Sequence, residues 1–398
     1  MSVAARALLV VSEIALAVVL LCGAGLFARA LLSLQRTELG FVTRNVLTLR
    51  LSLPRATYNS ARAVTFVDAL VARARAMSGV SQAAAMAWTP IVDGGGNWSV
   101  LSDAMVPTTI GQSPTAAPQQ VTPGFFSTLS IPFLRGRDFT DADHATAPLV
   151  VIINETLARS LWGAASPIGR RLSLSNTPTQ WATVIGEVRD TRVDGVTEPA
   201  PPIMYFPHTQ AQRSGYFTAV NMTLLIQNAA SPAALLPAVK TAVRELDANV
   251  PVSDERSMAE IVGSSIARHR FTTLLLVGFA LLALLLASVG MYGVIAYGVS
   301  QRRYEFGVRA ALGATRGRVL GLVLREGLLL VSAGLALGLA GAFATGRLLR
   351  AMLGDISALD VQTVGAAALC LLTAALLALL VPARNAMAVS PTEMLRNG

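Results

Sequence analysis

Four apolar runs, residues 7–28, 271–299, 327–346 and 361–381, constrain what this chain can fold into more than any other feature of its sequence. Each is about 20 residues or longer, the length an α-helix needs to cross the hydrocarbon core of a bilayer. No water reaches that core, so a spanning segment must pair its own backbone N–H and C=O groups, and a helix does so. Lipid is therefore the solvent for part of the chain. The composition agrees, at 53% hydrophobic and 14% charged residues, where an ordinary globular chain carries about 25% charged. The first run follows Arg6 and contains Gly23, Ala24 and Gly25, as a cleaved signal would. It exceeds the usual signal core in length and three more spans follow, so an uncleaved anchor is expected. Cys22 and Cys370 both lie inside the apolar runs and read as lipid-buried or helix-packing residues, not as a disulfide or zinc pair.

An even number of spans puts both termini on one side, and the arginines show which. Arg302, Arg303, Arg309, Arg316 and Arg318 crowd the loop between the second and third runs, and Arg6, Arg384 and Arg396 lie in the tails. The loop between the third and fourth runs holds only Arg347 and Arg350. The positive-inside rule then places both tails and the 300–318 loop in the cytoplasm. Arg29 and Arg36 follow the first span on the outer side and run against this, but long domains translocate largely regardless of charge. Topology thus accounts for most of the net charge of +9. Nucleic-acid binding has no support in the sequence.

Residues 35–270 hold no spanning run and are numerous enough to bury a core of their own. Alternation and β-propensity predict a strand over 46–53. A helix follows over 61–77 with Val64, Val67, Val71 and Ala74 on one face. A second helix is expected from Pro232, capped by Ser231, with Leu236, Val239, Val243 and Leu246 as its stripe. Strand-like runs at 79–88, 149–153, 181–188 and 216–227 complete an α+β composition. The stretch 93–118 is rich in Gly, Ser, Thr and Pro and reads as a long loop or subdomain junction. A second break is expected at 198–207, with its four prolines. Together they delimit a smaller unit, 119–214, inserted into a larger one.

Catalytic chemistry is hard to place here. His144, His208 and His269 are the only histidines, and none has a second ligand at metal spacing. His144 stands among Asp138, Asp141 and Asp143, which reads as a solvated acidic loop more than as a cation site. No GxSxG elbow, HExxH helix or GxxxxGK[ST] phosphate loop occurs. No catalytic residue, metal or cofactor is expected. The Asn-x-Ser/Thr matches at Asn97, Asn154 and Asn221 carry no weight, being common by chance.

The loop SQRRYEFGVRAALGATRGR, residues 300–318, is the most informative stretch. Tyr304, Val308 and Leu312 share one helical face, and Arg302, Glu305 and Arg309 another, with Glu305 four residues before Arg309. A short amphipathic helix is expected, ended by Gly313. Spacing alone leaves two readings open, a helix resting on lipid head groups or a knob that docks into a partner. Within the spans, Glu13 and the Arg325, Glu326 pair are expected to serve packing or structural pairing more than an ion relay. Gly334 and Gly338 form a GxxxG, a weak signal in so apolar a run.

The loop segment VSQRRYEFGVRAALGA resembles the signature of MacB/FtsX-like ABC transporter permeases, close to ERTREIGIRMALGA, at Arg302, Glu305, Gly307, Arg309, Gly313 and Ala314. The tail PARNAMAVSPTEMLR is similar to that family's closing PARRAARIDPMEALR. The stretches VTPGFFSTLSIPFLRGRDFTDAD and VIINETLARSLWGAASPIGRRL look like its periplasmic core domain. The resemblance implies three parts. The first, 1–34, is a transmembrane helix, and the second, 35–270, is a MacB-like periplasmic core with 119–214 inserted. The third, 271–398, is an FtsX-like permease domain with a coupling helix at 300–314.

The expected fold is thus an all-α bundle of four membrane helices plus an α+β extracytoplasmic domain of two subdomains, the pair resembling those called Porter and Sabre. The resemblance also implies mechanotransmission in a bacterial inner membrane. A dimer of a separate ABC ATPase would grip the six matched residues, and the spans would carry its closure to the outer domain. Implied partners are that ATPase, a second permease unit (a homodimer mate or the other half of a duplicated permease), the lipid bilayer and a periplasmic protein. An FtsX-like regulator that activates a cell-wall hydrolase is the runner-up, and an ATP-independent receptor or anchor is the third reading.

Overall fold

The computed structural model describes residues 3–93, 96–104, 113–173, 180–211, 213, 220–228, 232–302, 316–353 and 361–387. It divides into two compact units, Thr37–Ala267 and the combination of Met1–Arg36 with Arg268–Gly398.

The first unit is built on one mixed sheet. Its strands are β1 (Val46–Ser52), β2 (Val80–Met86), β3 (Trp98–Ser99), β4 (Leu101–Ser102), β5 (Thr115–Val121), β6 (Phe133–Gly136) and β7 (Val150–Asn154). They continue as β8 (Arg171–Ser173), β9 (Ala182–Val188), β10 (Ile203–Pro207), β11 (Asn221–Asn228) and β12 (Val252–Ser257). Across the sheet the order is β12-β1-β11-β2-β5-β10-β7-β9-β8-β4, with β3 on β5 and β6 on β9. The β12-β1-β11-β2 half is antiparallel throughout, and β1 pairs along its whole length with β11, from Val46↔Gln227 to Ser52↔Asn221. The other half mixes parallel ladders, β5 with β10 and β7 with β9, with the antiparallel pair β7 and β10.

Period-two alternation sends neighbouring side chains to opposite faces and creates the core on each side of the sheet. Leu47, Leu49 and Leu51 of β1, with Ala83 and Ala85 of β2, face the helices α2 (Ser60–Arg75) and α5 (Pro232–Leu246). The alternate residues Val46, Ala84, Met86 and Leu225 join a second cluster on the other face, with the aromatic residues around the short helix α3 (Phe125–Thr128). In the second half Val151, Ile153, Met204 and Phe206 pack on α4 (Glu155–Trp162), while Val150, Ile152, Ile203 and Tyr205 look the opposite way. Phe126 anchors that side, its ring 5.0 Å from Tyr205, 5.2 Å from Phe125 and 5.1 Å from Phe133. Fully burying one such side chain contributes about 1.5–3 kcal/mol.

Helix starts follow local chemistry. Asn59 caps α2 by accepting from the Arg62 N–H at 2.9 Å, and Phe66, Val67, Leu70, Val71 and Ala74 form its buried stripe. In α5, Val239 and Val243 are wholly buried, with Leu236 and Leu246 packed beside them. Ser231, the expected cap, lies outside the described residues.

Two stretches expected as breaks form strands. The four-proline region contains β10, all five of whose residues are buried, because its prolines bracket the apolar run Ile-Met-Tyr-Phe without interrupting it. The Gly/Ser/Pro-rich stretch contains β3, β4 and most of β5. Pro118 is tolerated in β5 because the ladder to β2 has shrunk to the single pair Met86↔Val121, so little is lost where its missing N–H would have donated.

Asn154 is the best-satisfied polar node of this unit. It is fully buried; its Oδ1 accepts from the N–H groups of Leu157 (3.2 Å) and Ile203 (2.8 Å), capping α4 and tying β7 to β10. Its Nδ2 donates to Asp190 (2.6 Å) and to the Pro201 carbonyl (2.8 Å), which excludes it as a glycan acceptor. Asn154→Ala removes a cap and strands the Ile203 N–H, and is expected to cost about 3 kcal/mol. Urea unfolding followed by tryptophan fluorescence measures it.

The second unit contains α1 (Val3–Arg36), the bundle part of α6 (Met258–Gln301), α7 (Arg316–Leu353) and α8 (Val361–Met387). All four are long and apolar enough to cross a membrane, over 5–36, 258–301, 324–345 and 362–379. Their large apolar side chains point outward as well as inward: Phe271, Leu274, Phe279, Leu282, Leu286 and Val289 of α6 are all exposed. In water that surface would be a liability, and in lipid it is the natural one.

Candidate functional site

The residues that the sequence marks for coupling lie between α6 and α7. Arg302 closes the end of α6, its N–H donating to the Gly298 carbonyl at 3.2 Å. Its guanidinium Nη1 donates to Glu326 Oε1 at 2.5 Å, with both side chains about half exposed. Glu305, Gly307, Arg309, Gly313 and Ala314 fall outside the described residues. Glu326 therefore pairs across to α6 and not with its neighbour Arg325, since consecutive helical residues project in different directions. A polar collar continues around this end of the bundle. The Arg6 guanidinium lies 4.1 Å from the centre of the Tyr297 ring, and the Gln301 side chain donates to the Tyr297 hydroxyl at 3.3 Å.

Deeper in the bundle, small residues set how closely the helices approach. A Cβ added to Gly334 would stand 2.5 Å from Ile14 Cγ2, and one on Gly338 would stand 2.5 Å from Val18 Cβ and 2.8 Å from the Ala15 carbonyl. The GxxxG of α7 is thus a groove that seats α1. Val10, Ile14, Ala17 and Val18 of α1 are buried there with Val331. Gly327 performs the same office toward Leu379 of α8. Glu13 lies on the side of α1 that faces α6, its carboxylate set against Gly290, where any side chain would collide with it. Sequence reasoning undervalued this packing, because GxxxG signals proximity only when the facing helix offers complementary bulk. The Val and Ile residues of α1 were visible, but their register against α7 was not.

The acidic loop proves structural. Asp143 accepts two hydrogen bonds from Arg137, at 2.7 and 2.9 Å, and a third from the Thr140 N–H. Those Arg137 bonds hold its carboxyl below the ordinary range, while burial pushes Asp138 above it. His144 engages Thr146, and His208 is buried with its Nε2 2.8 Å from Asp68 Oδ1. Among the described residues no group of three or more His, Cys, Asp or Glu is placed to hold a metal ion.

An apolar four-helix bundle with a large α+β domain between its first and second spans defines an integral membrane protein of permease architecture. Residues 7–246 match the MacB-like periplasmic core domain and residues 277–391 the FtsX-like permease C-terminal domain. The chain belongs to the family of MacB-like ABC transporter permeases, whose members work with an ABC ATPase. It is 26% identical over 277 residues to the uncharacterized ABC transporter permease YknZ of Bacillus subtilis, covering 69% of this chain and 68% of that one. It is 28% identical over 284 residues to the macrolide export ATP-binding/permease protein MacB of Sodalis glossinidius, covering 68% of this chain and 42% of MacB. The chain thus spans about two-fifths of that relative's length. The solved periplasmic region of MacB from Actinobacillus actinomycetemcomitans superposes with a TM-score of 0.39 at 13% identity, covering 58% of this chain and 97% of that one.

Gly338→Leu forces a branched side chain into the Ala15–Val18 backbone and is expected to cost about 3 kcal/mol. Gly278→Leu, where a Cβ meets nothing within 4 Å, is the control and leaves the bundle intact. Thermal unfolding of the two variants in nanodiscs separates them.

Proposed function

We propose that this chain is the permease subunit of a mechanotransmission ABC transporter. ATP hydrolysis in a separate ATPase dimer moves the extracytoplasmic domain, and that domain exports or extracts a substrate outside the membrane. The observation that carries the reading is the joint match to a MacB-like periplasmic core and an FtsX-like permease domain, together with four apolar helices in the matching places. Residues 1–398 contain no phosphate-binding GxxxxGK[ST] loop, and the reading assigns the nucleotide to the ATPase that 300–314 meets. Within this proposal residues 1–34 form the first span and 35–270 the outer domain, with 119–214 as its inserted subdomain, and 271–398 form the permease domain.

The coupling helix is assigned to 300–314, with Arg302, Glu305, Gly307, Arg309, Gly313 and Ala314 as the surface the ATPase grips. The crowding of arginine in that loop and in the tails supports a cytoplasmic position for both and a periplasmic one for the large domain. The ion pair between Arg302 and Glu326 supports a helix end braced to receive force. A second permease unit completes the assembly, because one ATPase dimer presents two docking faces.

Two outcomes test this. The affinity-tagged chain is expected to co-purify with an ABC ATPase, and Glu305→Lys or Arg309→Glu to reduce recovery at least about tenfold, about 1.4 kcal/mol of docking. Undiminished recovery overturns the docking role, and an ATPase whose rate answers to a cell-wall hydrolase favours regulation over transport. In a separate measurement, Ala311→Cys is expected to react with a membrane-impermeant maleimide only after permeabilisation, and Ala164→Cys in intact spheroplasts. The reverse pattern inverts the orientation and removes the power source.

A further inference from the structure

A cleft of about 470 Å³, counted out to its mouth, opens in the outer domain where β2 and β5 part company. Its floor is apolar, formed by Phe125, Leu129, Ile131 and Ile203, each buried, and Trp88 stands at the mouth with 42% of its surface exposed. That figure includes open solvent at the mouth, so the enclosed seat is much smaller and suits a single ring at most.

The polar groups of the wall are nearly all occupied by one another. Asp93 is ion-paired with Arg50 and accepts from the Thr89 N–H at 3.0 Å. The Gln119 amide is consumed by the Trp88 main chain, accepting from its N–H (3.0 Å) and donating to its carbonyl (2.6 Å). The Thr89 hydroxyl meets that of Thr223 at 2.8 Å. Apart from the Trp88 indole N–H at the mouth, what remains is the buried hydroxyl pair Thr191 and Tyr205, 3.3 Å apart and so loosely joined. Burial pushes the Tyr205 phenol up to about 12, so it stays neutral and can donate or accept. Beside the cleft, next to its lining residue Pro90, the β-branched Ile91 is held at φ 71° by its N–H bond to the carbonyl of Val193, another lining residue. Such outliers persist where the surroundings enforce them, and they concentrate at binding sites.

We propose that this cleft is a binding site for a small, uncharged, largely apolar molecule of a single ring carrying one hydrogen-bonding group. A charged ligand would find no free counter-charge among the described lining residues, and a highly polar one would find only the hydroxyl pair and the Trp88 indole N–H to answer it. The apolar ring would stack on Trp88 and reach the Phe125 floor, with the one polar group on Tyr205. The site stands whether or not the chain exports anything, because it requires only the outer domain's own residues.

The probe is 4-bromobenzyl alcohol, an apolar ring with one hydroxyl whose bromine quenches tryptophan emission. All four tryptophans, Trp88, Trp98, Trp162 and Trp181, lie in the outer domain, so probe dissolved in lipid does not contribute. With the full chain in nanodiscs, quenching is expected to have a saturable component that disappears in Trp88→Phe. Ala117→Leu and Val193→Phe, which fill the cleft, are expected to weaken it at least about tenfold, and Tyr205→Phe several-fold. Quenching of the wild-type chain that stays linear in probe concentration overturns the proposal. So does a saturable component that a folded filling variant leaves unchanged.

Discussion

Backbone hydrogen bonding under two solvents governs this molecule. In lipid an amide has no partner outside its own helix, so residues in the four spans are bound to helical geometry before any side chain is considered. In water the same amides are free to pair between strands, and residues 37–267 use that freedom to build a sheet. The division then decides what holds each unit together. Strands of the outer domain cohere by removing Leu49, Ile152 and Phe206 from water. The spans gain nothing of that kind, since lipid is as apolar as leucine, and they cohere by shape.

Shape in the bundle means missing atoms. Gly334 and Gly338 let the ridge of α1 sink until Ile14 and Val18 touch the backbone of α7, and the dispersion attraction of that close approach replaces the absent hydrophobic drive. Gly290 makes a different allowance, a niche for the Glu13 carboxylate in a place where ionisable groups are rare. Charges gather instead at the bundle's collar, where Arg6, Arg302 and Glu326 find aromatic and ionic neighbours.

Much of this was legible in the sequence. The spans are readable because roughly 20 apolar residues in a row have few alternatives, and α2 and α5 because Val67, Val71, Val239 and Val243 recur at helical spacing. The central strand β10 was hidden by the prolines around it, and β5 by Pro118, since the parallel ladder that joins the two pairs residues more than 80 apart in sequence, such as Ile203↔Ala117. The coupling role proposed for 300–314 rests on likeness to a family motif; periodicity could not separate a lipid-resting helix from a docking one. The cleft was invisible, because Phe41, Trp88, Gln119 and Tyr205 share no local pattern and are brought together by the sheet alone.

The pairing of β2 with β5 has a mechanical consequence. On one side of it β11 grips β2 from Thr223↔Met86 to Asn228↔Val80, and on the other β10 holds β5 from Ile203↔Ala117 to Pro207↔Val121. Between them stand one residue pair, the bond from the Ala87 N–H to the Gln120 carbonyl, the bonds joining Thr122 to Ala85, and those of the Gln119 amide with the Trp88 main chain. A sheet assembled in this way has two stiff plates and a compliant hinge line. Tension applied across it would load the Met86↔Val121 line first, because fewer backbone hydrogen bonds cross that line than hold either plate together.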